Sequence, residues 1–137
     1  MKIFMAKMFL IFSHLLTPEQ EADAWTSYGV DQFVPLPPDL QQVWSQFPPE
    51  VDALKQYISP VESWVAQQAL PGDIVLVQGD FGATHLLVTF AFRHGFRPVY
   101  STTRRETEEW VDDGGIIHAD HRFKHVRFRL YEQDEES

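Results

Sequence analysis

In Ile74-Val75-Leu76-Val77-Gln78-Gly79-Asp80-Phe81-Gly82-Ala83-Thr84, four apolar residues run without a break into a polar loop bracketed by glycines. A short unbroken apolar run of β-formers reads as a strand covered on both faces, the condition of a parallel sheet. The turn Pro71-Gly72 precedes it. Behind the loop, Ala83, Leu86, Leu87, Phe90, Ala91 and His94 recur at helical spacing until Gly95. A buried strand feeding at once into an amphipathic helix is half of a βαβ unit, and the next strand is expected to run parallel to the first.

Upstream, Met8-Phe9-Leu10-Ile11-Phe12 is a second run of the same kind. Thr17-Pro18-Glu19-Gln20 then spells a helix start, with Thr17 as cap, Pro18 at the first helical position and Gln20 closing a capping box. That helix is expected to reach Tyr28 and stop at Gly29. Residues 30–36 read as a strand that Pro35 confines to an edge or to its own last position. Pro37-Pro38-Asp39 opens a helix carrying Leu40, Val43, Trp44 and Phe47, closed by Pro48-Pro49. Over residues 50–69 the stripe continues through Val51, Leu54, Ile58, Val61, Trp64 and Val65, with a break or kink expected at Pro60. Downstream, Pro98-Val99-Tyr100-Ser101-Thr102 is a third parallel candidate. From Arg105 onward, two segments about the turn Asp112-Asp113-Gly114-Gly115 predict a β-hairpin, with Val126, Phe128 and Leu130 alternating inward. The sum is an α/β fold: a Rossmann-like open, mostly parallel sheet flanked by helices, with a C-terminal β-hairpin extension.

The 137 residues suit one domain, and 44% hydrophobic against 23% charged content excludes disorder. The domain is expected over residues 8–131, between an extension at 1–7 and a frayed acidic tail at 132–137. Absence of cysteine excludes a disulfide scaffold, a thiolate nucleophile and a cysteine-bound zinc. With no cysteine a cytoplasmic address is the default, and no segment is long and apolar enough to span a membrane. A net charge of −9 argues against long nucleic acids as partners. Within it, however, residues 93–129 hold 8 of the 11 Lys and Arg against 6 acids, a concentration that suits a small anionic ligand.

Ligands of open parallel sheets sit beyond the carboxyl ends of the strands. Three strand ends finish in polar residues: Ser13-His14, Gln78 to Thr84, and Ser101-Thr102-Thr103-Arg104-Arg105. They are expected to meet at one rim. Gly79 and Gly82 free the backbone for close approach to an anion, and the helix that follows presents its N–H groups; an ordinary tight turn reads equally well. Asp80 serves as cap, ribose-hydroxyl acceptor or base. Arg104 and Arg105 carry donors suited to phosphate, one facing the ligand and the other pairing structurally. His14 stands where a general acid or base would, or is a structural hydrogen-bonder. A metal site at His118, His121 and His125 is rejected, because His118 and His121 would face opposite sides of a strand.

On Met8 to His14 with Leu15 and Thr17, on Val77 to Thr84, on Ser101 to Arg105, and on Phe123-Lys124-His125-Val126-Arg127-Phe128-Arg129, the chain resembles a small CRISPR-associated family of type III systems, the Csx-type ring nucleases. The resemblance implies a homodimer that binds cyclic oligoadenylate, with the tetramer as the expected ring, and cleaves it without metal or other cofactor. Adenylate 2′-hydroxyl would attack the adjoining phosphorus and leave a 2′,3′-cyclic phosphate. In that reading His14 moves a proton and Arg104 or Arg105 stabilises phosphoryl charge. Ser13, Gln78, Thr84, Ser101, Thr102 and Thr103 bind sugar or phosphate, the Gly79 and Gly82 backbone supports them, and Phe81 packs on adenine. A non-catalytic protein that sequesters the same ring has an identical pocket. A small interaction protein with its arginines salt-bridged is the distant alternative.

Overall fold

The computed structural model describes residues 5–134. Its elements, in chain order, are β1 (Ala6–Ile11), α1 (Pro18–Tyr28), β2 (Val30–Pro35), α2 (Pro38–Ser45), α3 (Lys55–Gln68), β3 (Ile74–Val77), α4 (Phe81–Arg93), β4 (Arg97–Val111) and β5 (Ile117–Leu130). The strands form one mixed, mostly parallel sheet in the order β2-β1-β3-β4-β5, with only β5 antiparallel. This is an α/β fold with helices on both faces of the sheet.

Strand alternation divides the core cleanly. Phe9, Ile11, Val75 and Val77 face one side, where Trp44 of α2, Ile58, Val61 and Val65 of α3, and Leu87 and Ala91 of α4 cover them. Met8, Phe12, Ile74, Leu76 and Val99 face the other, against Ala24 of α1, Val30 and Phe128. All four residues of β3 are buried, as the apolar run requires. α1 contributes little apolar surface and is tied down by polar bonds instead. Thr17 and Gln20 form the capping box, and Gly29 closes the helix at φ 67. The Tyr28 hydroxyl donates to the Phe128 carbonyl at 3.4 Å.

Several expectations change. β1 begins at Ala6, two residues before the apolar run, inside the stretch read as an extension, because Lys7 and Met8 pair with β2. Residues 1–4 and 135–137 of the expected extension and tail lie outside the described residues, and residues 132–134 have no regular structure. α2 ends at Ser45, before the proline pair. α3 starts only at Lys55 and runs through Pro60 without a break, so the buried stripe Ile58, Val61, Val65 is continuous across it. The lost N–H of Pro60 falls in the second turn, where burial of that stripe outweighs one missing bond.

The largest correction concerns β4. Its first three residues pair in parallel with β3, Ile74 opposite Arg97 through Leu76 opposite Val99. The strand does not stop at Thr102, where the parallel candidate ended. An antiparallel ladder with β5 carries it to Val111, so Thr102 to Arg105 lie in mid-strand rather than at a strand end. The register shifts once: Thr102 pairs with Arg127 but Thr103 with His125, leaving Val126 as an extra residue. Such a bulge re-aims the side chains beyond it. Phe128 stays buried, whereas Val126 and Leu130, expected inward with it, are exposed.

Candidate functional site

The neighbours of β1 are β2 and β3, so the chain departs from β1 in opposite directions at the point where α/β sheets hold ligands. At this level Ile11 lies beside Val77, and the Gln78 N–H donates to the Ile11 carbonyl at 3.1 Å. The Ser101 N–H in turn donates to Gln78 Oε1 at 2.7 Å. The rim therefore brings the ends of β1 and β3, at Ile11 and Gln78, beside Ser101 of β4.

Backbone carbonyls that the ladder would leave open here are closed by side chains. Gln41 Nε2 donates to Phe12 O at 3.0 Å, Trp44 Nε1 to Gln78 O at 2.9 Å, and the Tyr131 hydroxyl to Val77 O at 2.6 Å. Burial, with Tyr100 adding to it, pushes the Tyr131 hydroxyl up to about 12, so it remains a donor at neutral pH. These bonds hold the strand ends rigid from the α2 side and from the end of the chain.

Two hollows flank the β1–β3 boundary. One, of about 370 Å³, is lined by Gln78, Gly79, Phe81, Thr84, Tyr100 and Tyr131. Phe81 is 95% exposed at its lip. Thr84 Oγ1 is buried there without a hydrogen-bond partner among the described residues. The other, of about 360 Å³, is largely apolar and includes Ser13, His14, Leu16 and Leu36. His14 is exposed and meets Phe12 edge-on at 6.1 Å.

The glycine loop is built differently from the expected anion cradle. A Cβ on Gly79 would lie 2.7 Å from Trp44 Nε1, so glycine is required by packing against the indole. At Gly82 a Cβ meets only ordinary contacts, the nearest 3.4 Å from Asp80 Oδ2. Asp80 is the N-cap of α4, accepting the Ala83 N–H at 3.0 Å. Capping thus occupies an oxygen that a ribose would otherwise use.

Thr103, Arg104 and Arg105 are carried away from the rim. At strand rise, Arg104 lies about 10 Å and Arg105 about 13 Å along β4 from Ser101. Neither has an ion-pair partner among the described residues, and alternation sends them to opposite faces. Thr102 Oγ1 donates to the Arg127 carbonyl at 2.8 Å and accepts the Arg127 N–H at 3.2 Å, which pins the bulge rather than freeing a ligand contact. His118 and His121 pair with Trp110 and Thr107, on opposite faces.

The bulge creates what strict alternation hides. It turns His125 onto the Phe128 face, where its side chain is only 5% exposed. There His125 Nε2 lies 2.7 Å from Asp23 Oδ2 and Nδ1 lies 2.6 Å from Ser101 Oγ. Asp23 also accepts from the Ser27 hydroxyl at 2.6 Å and the Phe128 N–H at 3.1 Å. Burial pushes the Asp23 carboxyl up, but the hydrogen bonds from Ser27, His125 and Phe128 together hold it below the usual range. In the tautomer whose Nε2–H donates to the Asp23 carboxylate, Nδ1 accepts from the Ser101 hydroxyl. Asp23, His125 and Ser101 form a hydrogen-bonded line from α1 to β4. The sequence carries no signal for it, because Val126 is in phase with Phe128 and its exposure follows only from the bulge.

Fold and rim define the class: an α/β protein with polar loops gathered at the carboxyl ends of its central parallel strands. The family model described as "Uncharacterized protein MJ1673 family" matches residues 6–129. Protein MJ1673 of Methanocaldococcus jannaschii, described as uncharacterized, is 47% identical over 127 residues, covering 93% of this chain and 98% of its own. The chain belongs to the MJ1673 family. No solved structure matches it.

Proposed function

We propose that the protein binds cyclic oligoadenylate, with cyclic tetra-adenylate as the expected ring, and opens it by attack of a ribose 2′-hydroxyl, ending type III CRISPR signalling in the cytoplasm. The observation that carries this reading is the meeting of Ile11, Gln78 and Ser101 at one level of the sheet, beside the strand where the chain reverses direction. In this reading the domain is a Rossmann-like nucleotide-binding fold. Phe81 offers adenine an open ring face, and the unpartnered Thr84 hydroxyl, Ser13 and Gln78 offer hydrogen bonds to sugar and phosphate. His14 takes the 2′-hydroxyl proton as the 2′-oxygen–phosphorus bond forms. The phosphorus–5′-oxygen bond breaks, and the departing 5′-oxygen takes a proton from solvent water, to which His14 later returns its own. Arg104 or Arg105, reaching back from β4, meets the developing phosphoryl charge.

One observation favours a second reading, a sink that binds the ring intact: Asp80 is spent as a cap and both arginines stand about 10 Å or more from Ser101. Labelled cyclic tetra-adenylate in EDTA separates the two. Several turnovers per protein, yielding linear product with a 2′,3′-cyclic phosphate, support the nuclease, and His14→Ala is then expected to slow cleavage more than it weakens binding. Intact ring recovered from a stable complex supports the sink. Absence of thermal stabilisation by any cyclic oligoadenylate overturns both.

A further inference from the structure

At the base of the two-stranded ribbon that β4 and β5 form beyond Thr102, side chains of α1 and β5 meet behind the Ser101 hydroxyl. His125 Nδ1 lies 2.6 Å from Ser101 Oγ, and Asp23 Oδ2 lies 2.7 Å from the other ring nitrogen. The Phe128 ring stands 4.6 Å from the imidazole, whose side chain is 5% exposed. Two further donors, the Ser27 hydroxyl and the Phe128 N–H, fix the carboxylate. The imidazole is thus held in one orientation, with a carboxylate behind it and a hydroxyl ahead. Ser101 itself is only half-buried, so the line opens outward at the serine.

Anchoring α1 to β5 accounts for only part of this arrangement. The bonds of Asp23 to His125 and to the Phe128 N–H join those elements without Ser101. A further side chain converges on the hydroxyl: Gln20 Nε2 donates to Ser101 Oγ at 3.4 Å, while Gln20 Oε1 accepts the Thr17 N–H at 2.9 Å. The capping box of α1 therefore holds an amide donor beside the serine.

A hydroxyl is a weak nucleophile until a base takes its proton during attack. In the tautomer whose Nε2–H donates to Asp23, His125 Nδ1 is placed to take it, and the carboxylate faces the cation that results. Charge at the site selects the electrophile. Among the described residues, the side chains hydrogen-bonded to Ser101 and His125 are Gln20, Gln78 and Asp23, two amides and one carboxylate without a cation. A phosphate would meet the carboxylate uncompensated, whereas an uncharged carbonyl meets an amide donor.

We propose that Ser101 as nucleophile, His125 as base and Asp23 as orienting carboxylate form an acyl-transfer site that hydrolyses uncharged carboxylic esters. The bond from Ser101 Oγ to the carbonyl carbon forms as the hydroxyl proton passes to His125 Nδ1. The carbonyl π pair moves to its oxygen, within reach of Gln20 Nε2. That pair returns, the ester C–O bond breaks, and the departing alcohol oxygen takes the proton from Nδ1. Water repeats the sequence on the acyl-serine: it gives a proton to Nδ1, the carboxylic acid leaves, and Ser101 Oγ recovers the proton. The inference goes beyond the cyclic-nucleotide reading. Its test contains no nucleotide, so either can fail alone.

The full chain treated with an alkyl fluorophosphonate, which phosphonylates hydroxyls activated by a neighbouring base, provides that test. Mass spectrometry is expected to find one adduct, on Ser101, and 4-nitrophenyl acetate is expected to be hydrolysed with an initial burst stoichiometric with the chain. Ser101→Ala abolishes both. It removes one half-buried hydroxyl, so it serves if variants of the buried pair fail to fold. His125→Ala slows labelling by about a hundredfold or more, and free imidazole restores part of the rate. Asp23→Asn slows it by about tenfold or more with the circular dichroism spectrum unchanged, and Asp23→Glu recovers part of the loss. No adduct, an adduct on another serine, a Ser101→Ala chain that hydrolyses the ester like wild type, or a folded His125→Ala chain labelled at the wild-type rate would overturn the proposal.

Discussion

The centre of the sheet and its outer ribbon are both made of paired strands, yet they obey different rules. In β3 every side chain is buried, and in β1 Met8, Phe9 and Ile11 are fully so. There the apolar run alone specifies a strand with helices on either side. In the ribbon, polar and apolar residues alternate over a longer ladder and most side chains meet solvent. Backbone pairing is as regular there as in the centre, so hydrogen bonding does not distinguish the regions. Cover does. The comparison teaches that stability resides where both faces of a strand are enclosed, and that the ribbon's regularity serves presentation of a surface.

Truncation tests this contrast most severely. Phe9→Ala is expected to destabilise by about 3–5 kcal/mol in urea unfolding, since it empties a fully buried aromatic site. Ile116→Ala, at the ribbon tip, should remain within about 0.5 kcal/mol. Equal losses would mean that the ribbon is part of the cooperative core. Glycine substitutions at the rim give the next largest effect. Gly79→Ala drives a methyl group into Trp44 and should cost about 1–3 kcal/mol. Gly82→Ala should be neutral or stabilising by a few tenths, because it gains helix propensity near the start of α4. The same urea titrations check both; the reverse order would restore the anion-cradle account of the loop.

The smallest effect lies where the two regions join. Asp23 is held below its ordinary value when folded, so its contribution is present above the unfolded carboxyl value of about 3.9 and disappears as pH falls through the folded one. The stability difference between wild type and Asp23→Asn should accordingly be constant from pH 7 to about 5 and shrink toward pH 3. A difference that grows on acidification would show that His125 does not stabilise the carboxylate.

What could be read in the sequence follows the same division. The cap at Thr17, the stop at Gly29, the β3 run and the Asp80 start of α4 are local events, decided by residues a few positions apart, and each lies where the pattern puts it. Long-range partners were invisible. Nothing near Ser101 announces that β5 will carry its strand ten residues further. Nothing near Gly79 announces Trp44, and nothing near His125 announces Asp23, 102 residues away. Pro60 misled because propensity weighs the missing bond and not the stripe that outweighs it. For the candidate site, Ser13, Gln78 and Gly79 were legible as following strand ends, whereas Ser101 lies inside β4. Asp23 and Tyr131 were not, since their roles depend on tertiary packing alone.

Val126 has one last consequence. A single supernumerary residue bends and twists the strand pair where it leaves the body of the protein. Deleting it would leave His125 opposite Thr103 and two positions from Phe128, so ordinary alternation would keep the imidazole beside Asp23 while the kink is lost. The extra residue thus sets the angle at which the arm projects, a dial that descent can turn without reassigning either of its surfaces.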